Sequence, residues 1–184
     1  MLLFVTLFSG ITAAAQTPQE DRFINKRTLG GFLSTGIPLY KLPDNTYYQP
    51  IIGGLLYHIP FYKTKNRFSI ALDLLPQAVL VPFKTHTEYE FGLNVAFYFG
   101  IELSPKTLLS YSIGSGPHYI SSDLERQAKG FIFSDNMYFT LRRNHNGIDV
   151  AVFAGMRHIS NANLELPNLG VNNILIGVSV AKIL

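Results

Sequence analysis

The sequence predicts an all-β chain of about eight antiparallel strands, closed as a transmembrane barrel of the outer-membrane kind. Three observations predict it: an export-type leader, strand-length segments in which large apolar residues alternate with small or polar ones, and no later run of the ~20 apolar residues a spanning helix needs. The composition agrees. Of 184 residues, 47% are hydrophobic and only 15% are charged. A typical soluble chain carries roughly 25% charged residues.

The leader comes first. Leu2 to Ile11 is an apolar run, and Ala13-Ala14-Ala15 offers a small-residue cleavage site before Gln16. Residues 1–15 are therefore expected to be a signal peptide cleaved near Ala15, and residues 16–184 a single barrel domain exported to a bacterial outer membrane.

The clearest strand is Tyr89 to Ile101. Tyr89, Phe91, Leu93, Val95, Phe97, Phe99 and Ile101 share one face; Glu90, Gly92, Asn94, Ala96, Tyr98 and Gly100 share the other. A transmembrane barrel turns the bulky apolar face to lipid and the small, polar face to the lumen. A soluble lipocalin-like carrier would do the reverse and line a cavity with phenylalanine. The leader and the strand length favour the membrane.

Other segments repeat the theme. Phe68, Ile70, Leu72 and Leu74 oppose Arg67, Ser69, Ala71 and Asp73. Leu109, Tyr111 and Ile113 oppose Ser110, Ser112 and Gly114. Phe133, Met137, Phe139 and Leu141 oppose Ser134, Asn136, Tyr138 and Thr140, with Asp135 interrupting the oily side. Gly30 to Leu39, Pro50 to Pro60, Gly147 to Ser160 and Asn172 to Leu184 complete the set. The stretches from Tyr40 to Tyr48, Tyr62 to Asn66, Pro82 to Glu88, His118 to Lys129, Arg143 to Asn146 and Asn161 to Gly170 are expected to be turns and loops.

Cysteine is absent, so disulfides, thiolate nucleophiles and cysteine-based zinc sites are excluded. The net charge is +3, and the basic residues are scattered, which gives nucleic-acid binding no footprint. His58, His86, His118 and His145 lack metal-ligand spacing, and no phosphate-binding glycine loop is present. No cofactor and no metal are expected. Arg142, Arg143 and Arg157 are expected to snorkel or to be solvated in loops rather than to grip phosphates.

One place carries chemistry. On the strand ending at Ser160, Arg157 and Asp149 lie on the face suited to a polar lumen, since either is costly in hydrocarbon. His158 and Ser160 therefore face outward, near one membrane edge. On the last strand Asn172 shares the outward face with Ile174, Ile176, Val178 and Val180. Same-face residues two apart on a strand lie roughly 7 Å apart at Cα. A histidine at that distance is placed to take a serine's proton and make it a nucleophile. A His-x-Ser pair alone is also an ordinary solvated rim pair.

The surrounding letters add to this. HISNANLELPNLGVN resembles the signature of the lipid A 3-O-deacylase family of outer-membrane barrels, matching at His158, Ser160, Asn161, Pro167, Asn168 and Gly170. The resemblance implies a serine esterase that removes the 3-O-linked acyl chain of lipid A, with lipopolysaccharide as substrate and the outer membrane as its setting. It implies Ser160 as nucleophile and His158 as general base, then acid. Asn161 and Asn168 would form or support an oxyanion hole, and Pro167 and Gly170 would shape the loop. The family's third member is an acid two residues after the glycine. Here that position is Asn172, which is able to orient the ring but carries no charge; Glu165 in the loop is the alternative. The competing reading is a non-catalytic, structural or adhesive outer-membrane barrel with a coincidental rim motif.

Overall fold

The computed structural model describes residues 22–42, 46–63, 67–121 and 123–184. The expected signal peptide lies outside the described residues. After a single 3-10 turn (Phe23–Asn25) come the strands β1 (Thr28–Pro38), β2 (Ile51–Lys63), β3 (Phe68–Pro82), β4 (Thr87–Ser104), β5 (Thr107–Ser115), β6 (Pro117–Ile120), β7 (Gly130–His145), β8 (Ile148–Ser160) and β9 (Val171–Ile183).

All pairings are antiparallel, and β1 pairs with both β2 and β9, so the sheet closes on itself. β5 and β6 both pair with β4 and β7. They are two pieces of one stave, interrupted at Gly116, so nine strands make an eight-stave barrel. The segment from His118 to Lys129, expected to be loop throughout, thus begins as strand. Its opening residues are recruited by the edges of β4 and β7, a long-range pairing that local composition does not signal.

Period two sets the inside and the outside. Phe91, Phe97 and Phe139 are exposed by 61%, 52% and 64% on the outer wall. The alternate positions Glu88, Glu90, Asn94, Ala96 and Tyr98 are buried. The arrangement is that of a lipid-exposed wall, and it rules out the carrier reading, in which these phenylalanines point inward. Among the described residues, no helix is long and apolar enough to cross a membrane.

The lumen is filled with paired charge. Near one end Arg142 binds Asp149 through Nε at 2.8 Å and also through Nη2, while His58 Nδ1 lies 2.6 Å from Asp73 Oδ1. Farther along, Arg157 grips Glu90 and donates from Nε to Ser134 Oγ at 3.0 Å. Arg142 and Arg157 are therefore neither snorkelling nor solvated, because each lies on the inward face and finds a carboxylate there. Arg143, the next residue after Arg142, is exposed. Beyond the second cluster an apolar layer including Leu42, Tyr48, Val81, Leu124 and Ile159 closes the lumen.

The two ends differ. One has the tight turns 105–106 and 146–147, the latter with positive φ at Asn146 and Gly147, as a two-residue hairpin demands. The other carries the longer connections, among whose described residues are 39–42, 46–50, 123–129 and 161–170. Outer-membrane barrels have short periplasmic turns and longer extracellular loops. The apolar layer, and the end of β8 that carries Ser160, are on the long-loop side.

Candidate active site

β8 supplies His158 and Ser160, and β9 supplies Asn172. Ile159 between the first two is buried, so the pair straddles it on the outer wall. His158 and Asn172 are direct partners in the β8–β9 ladder. Their side chains meet, with His158 Nδ1 2.8 Å from Asn172 Oδ1. All three residues are partly exposed. No hydrogen bond joins Ser160 Oγ to the imidazole among the described residues.

The loop 161–170 is built to hold this geometry. Asn161 is buried, and its backbone N–H donates to Asn168 Oδ1 at 2.8 Å. Its amide donates to the Glu165 carbonyl at 2.7 Å. Asn168 in turn donates from Nδ2 to Asn163 Oδ1 at 2.9 Å. Both asparagines tie the loop into a closed unit. The Glu165 side chain is exposed and does not meet the histidine, whose Nδ1 is taken by Asn172.

Gly170 ends the loop at φ 68°, in the left-handed region. The imidazole packs against it: a Cβ there would come 2.4 Å from His158 Cε1 and 3.1 Å from Nε2. Backbone conformation and side-chain packing both require glycine at this position.

Two residues far away in sequence fix the same corner. The Tyr40 hydroxyl donates to the Gly170 carbonyl and accepts from the Asn172 N–H, each at 2.9 Å. Arg126 lies over the Tyr40 ring, 4.5 Å from its centroid. It donates from Nε to the Gly170 carbonyl at 3.1 Å and from Nη2 to the Leu169 carbonyl at 3.2 Å. The backbone joins in, with Leu169 N–H on the Arg126 carbonyl and Ala128 N–H on the Pro167 carbonyl, both at 2.8 Å. Neither Tyr40 nor Arg126 carries a motif, so only the fold reveals their part.

A groove runs from His158 and Asn172 across the outer wall. Val95, Phe97, Ile113, Met137 and Met156 line it, so it is mostly apolar, with Ser115 and Asp135 along one side. Asp135 is the β7 partner of His158, and its Oδ1 accepts from the Ser115 hydroxyl at 2.5 Å. The aspartate that interrupts the oily face of β7 therefore sits beside the histidine. That interruption was its one sequence signal. Leu164, Leu166 and Leu169 project from the loop, exposed by 70%, 81% and 66%. No group of three or more His, Cys, Asp or Glu side chains is placed to hold a metal among the described residues.

Comparison with known proteins agrees with this architecture. No curated protein matches the chain. A solved structure, the crystal structure of the outer membrane enzyme PagL, superposes with a TM-score of 0.64 at 15% identity, covering 82% of this chain and 97% of that one. At that identity the likeness shows the fold, a closed antiparallel β-barrel. The family model of lipid A 3-O-deacylase (PagL) matches residues 51–181, which include all of β2 to β8 and most of β9. The chain belongs to the lipid A 3-O-deacylase family of ester hydrolases.

Proposed function

We propose that His158, Ser160 and Asn172 form a hydrolytic site on the lipid-facing wall, and that it cleaves the 3-O-linked acyl ester of lipid A. The observation that carries this is the 2.8 Å contact between His158 Nδ1 and Asn172 Oδ1, made outside the barrel at its long-loop end. A lumenal site would need its ester delivered through the apolar layer that closes the barrel. An outer-wall site at the extracellular end meets a lipid of the outer leaflet in place, with the ester near the head-group boundary. The apolar groove suits an acyl chain, and the exposed leucines of the loop suit the same lipid layer.

The chemistry follows from the contacts. Asn172 Oδ1 accepts the Nδ1 proton, which leaves Nε2 as the base. Ser160 Oγ attacks the ester carbonyl as Nε2 takes its proton, and a tetrahedral oxyanion forms. The carbonyl bond re-forms, the sugar oxygen leaves and takes the proton from Nε2, and the acyl group stays on Ser160. Water then enters by the same route in reverse and frees the fatty acid. Asn161 and Asn168 support the oxyanion hole by holding the loop beside Ser160. Asn168 Nδ2, held by the partly solvated contact to Asn163, is the donor able to exchange partners as charge develops.

The test uses the purified full chain in mixed micelles with 3-O-acylated lipid A, following release of the free fatty acid. Wild-type protein is expected to release it. Ser160→Ala and His158→Ala are expected to lose on the order of 10³-fold or more in kcat while staying folded. Release that survives in Ser160→Ala overturns the site. No release by folded wild type on any 3-O-acylated lipid A supports the non-catalytic barrel instead.

A further inference from the structure

Asp135 is a carboxylate on an otherwise oily wall. A charge on a lipid-exposed surface is destabilising, so such a residue is a candidate for function. It directly opposes His158 in the β7–β8 ladder and lines the same groove. Directly opposed side chains on neighbouring strands have Cβ atoms about 4.5–5.5 Å apart. The Ser115 hydroxyl, from the next stave, holds Asp135 Oδ1 at 2.5 Å.

The site as described lacks a negative charge. His158 becomes an imidazolium when it takes the serine proton, and Asn172 orients the ring without neutralising it. We propose that Asp135 is a positioning residue for His158: its carboxylate, supplied from the neighbouring strand, provides the charge that Asn172 lacks and stabilises the imidazolium. The inference rests on the Ser160–His158 reading above.

The other groups around His158 do not supply that charge. From β9 it faces Asn172, and at the loop end it packs on Gly170. Along β8 its outward neighbours are Met156 and Ser160. Glu165 is solvated in the loop. Arg126 and Tyr40 are tied to the Gly170 carbonyl. Arg157 turns inward and pairs with Glu90, beside which His118 lies.

The test compares wild type, Asp135→Asn, Asp135→Glu, Asn172→Glu and the double variant Asp135→Asn/Asn172→Glu, each as the full chain in detergent with lipid A. Asp135→Asn is expected to lower kcat about tenfold or more with KM within about twofold. Asp135→Glu keeps most of the activity. Asn172→Glu, which returns an acid to the ring, restores most of the loss in the Asp135→Asn background. Should Asp135→Asn fold poorly, Asp135→Val gives the same readout, since an apolar residue suits that face. An Asp135→Asn enzyme within about twofold of wild type overturns the proposal. So does a loss that Asn172→Glu fails to recover. An active Ser160→Ala variant overturns the underlying site instead, which keeps the two failures distinct.

Discussion

Asn172 Oδ1 lies 2.8 Å from His158 Nδ1 across the β8–β9 ladder, where the family pattern has an acid. The contact fixes the tautomer, and truncation removes it. Asn172→Ala is expected to lower kcat about 10-fold to 100-fold with the barrel intact, whereas Glu165→Ala stays within about twofold of wild type. Steady-state kinetics on both variants checks this. A large loss in Glu165→Ala with none in Asn172→Ala would exchange their roles.

Gly170 couples the loop to the ring. Gly170→Ala adds left-handed strain of about 1 kcal/mol or more, and its Cβ displaces the imidazole edge. Activity is expected to fall at least about tenfold, while the barrel keeps its β-sheet circular dichroism. Unchanged kcat would show that the ring does not need this seat.

Tyr40 and Arg126 both hold the Gly170 carbonyl. Each backs up the other. Tyr40→Phe and Arg126→Ala alone are expected to lose a few-fold in kcat, and the double variant more than the product of the two, a coupling of about 0.5–2 kcal/mol in a double-mutant cycle. Strict additivity would mean that the two contacts act independently.

The lumenal pair Arg157–Glu90 is fully buried. Removing one partner leaves an uncompensated charge, so Arg157→Ala or Glu90→Ala is expected to destabilise the barrel by about 3–5 kcal/mol in denaturant titration. Replacing both, as Arg157→Met with Glu90→Leu, recovers most of that. If the single variants cost nothing, water reaches the lumen at this depth.

Face assignment was legible in the sequence because period two leaves little choice: Arg157 and Asp149 had to be inside, so His158 and Ser160 had to be outside, and Asn172 follows from the apolar face it shares with Ile174, Ile176, Val178 and Val180. Asp135 was visible as an exception on an oily face, but its meaning depended on the register that sets it opposite His158. Tyr40 and Arg126 were not legible. They reach the site from loops 130 and 44 residues distant from Gly170, through backbone carbonyls that any residue offers. β6 was missed for the same reason, since its pairing is decided by the edges of β4 and β7. The inward turn of Arg142 went unread because its partner, Asp149, lies across a hairpin whose register depends on the Asn146-Gly147 turn.

The central claim is that an outward serine–histidine site deacylates a membrane lipid. The most direct measurement is mass spectrometry of lipid A from cells expressing wild type or Ser160→Ala at equal levels of folded barrel. Wild type is expected to shift lipid A down by the mass of one acyl group, and Ser160→Ala to leave it unchanged. The same shift in both strains would contradict it.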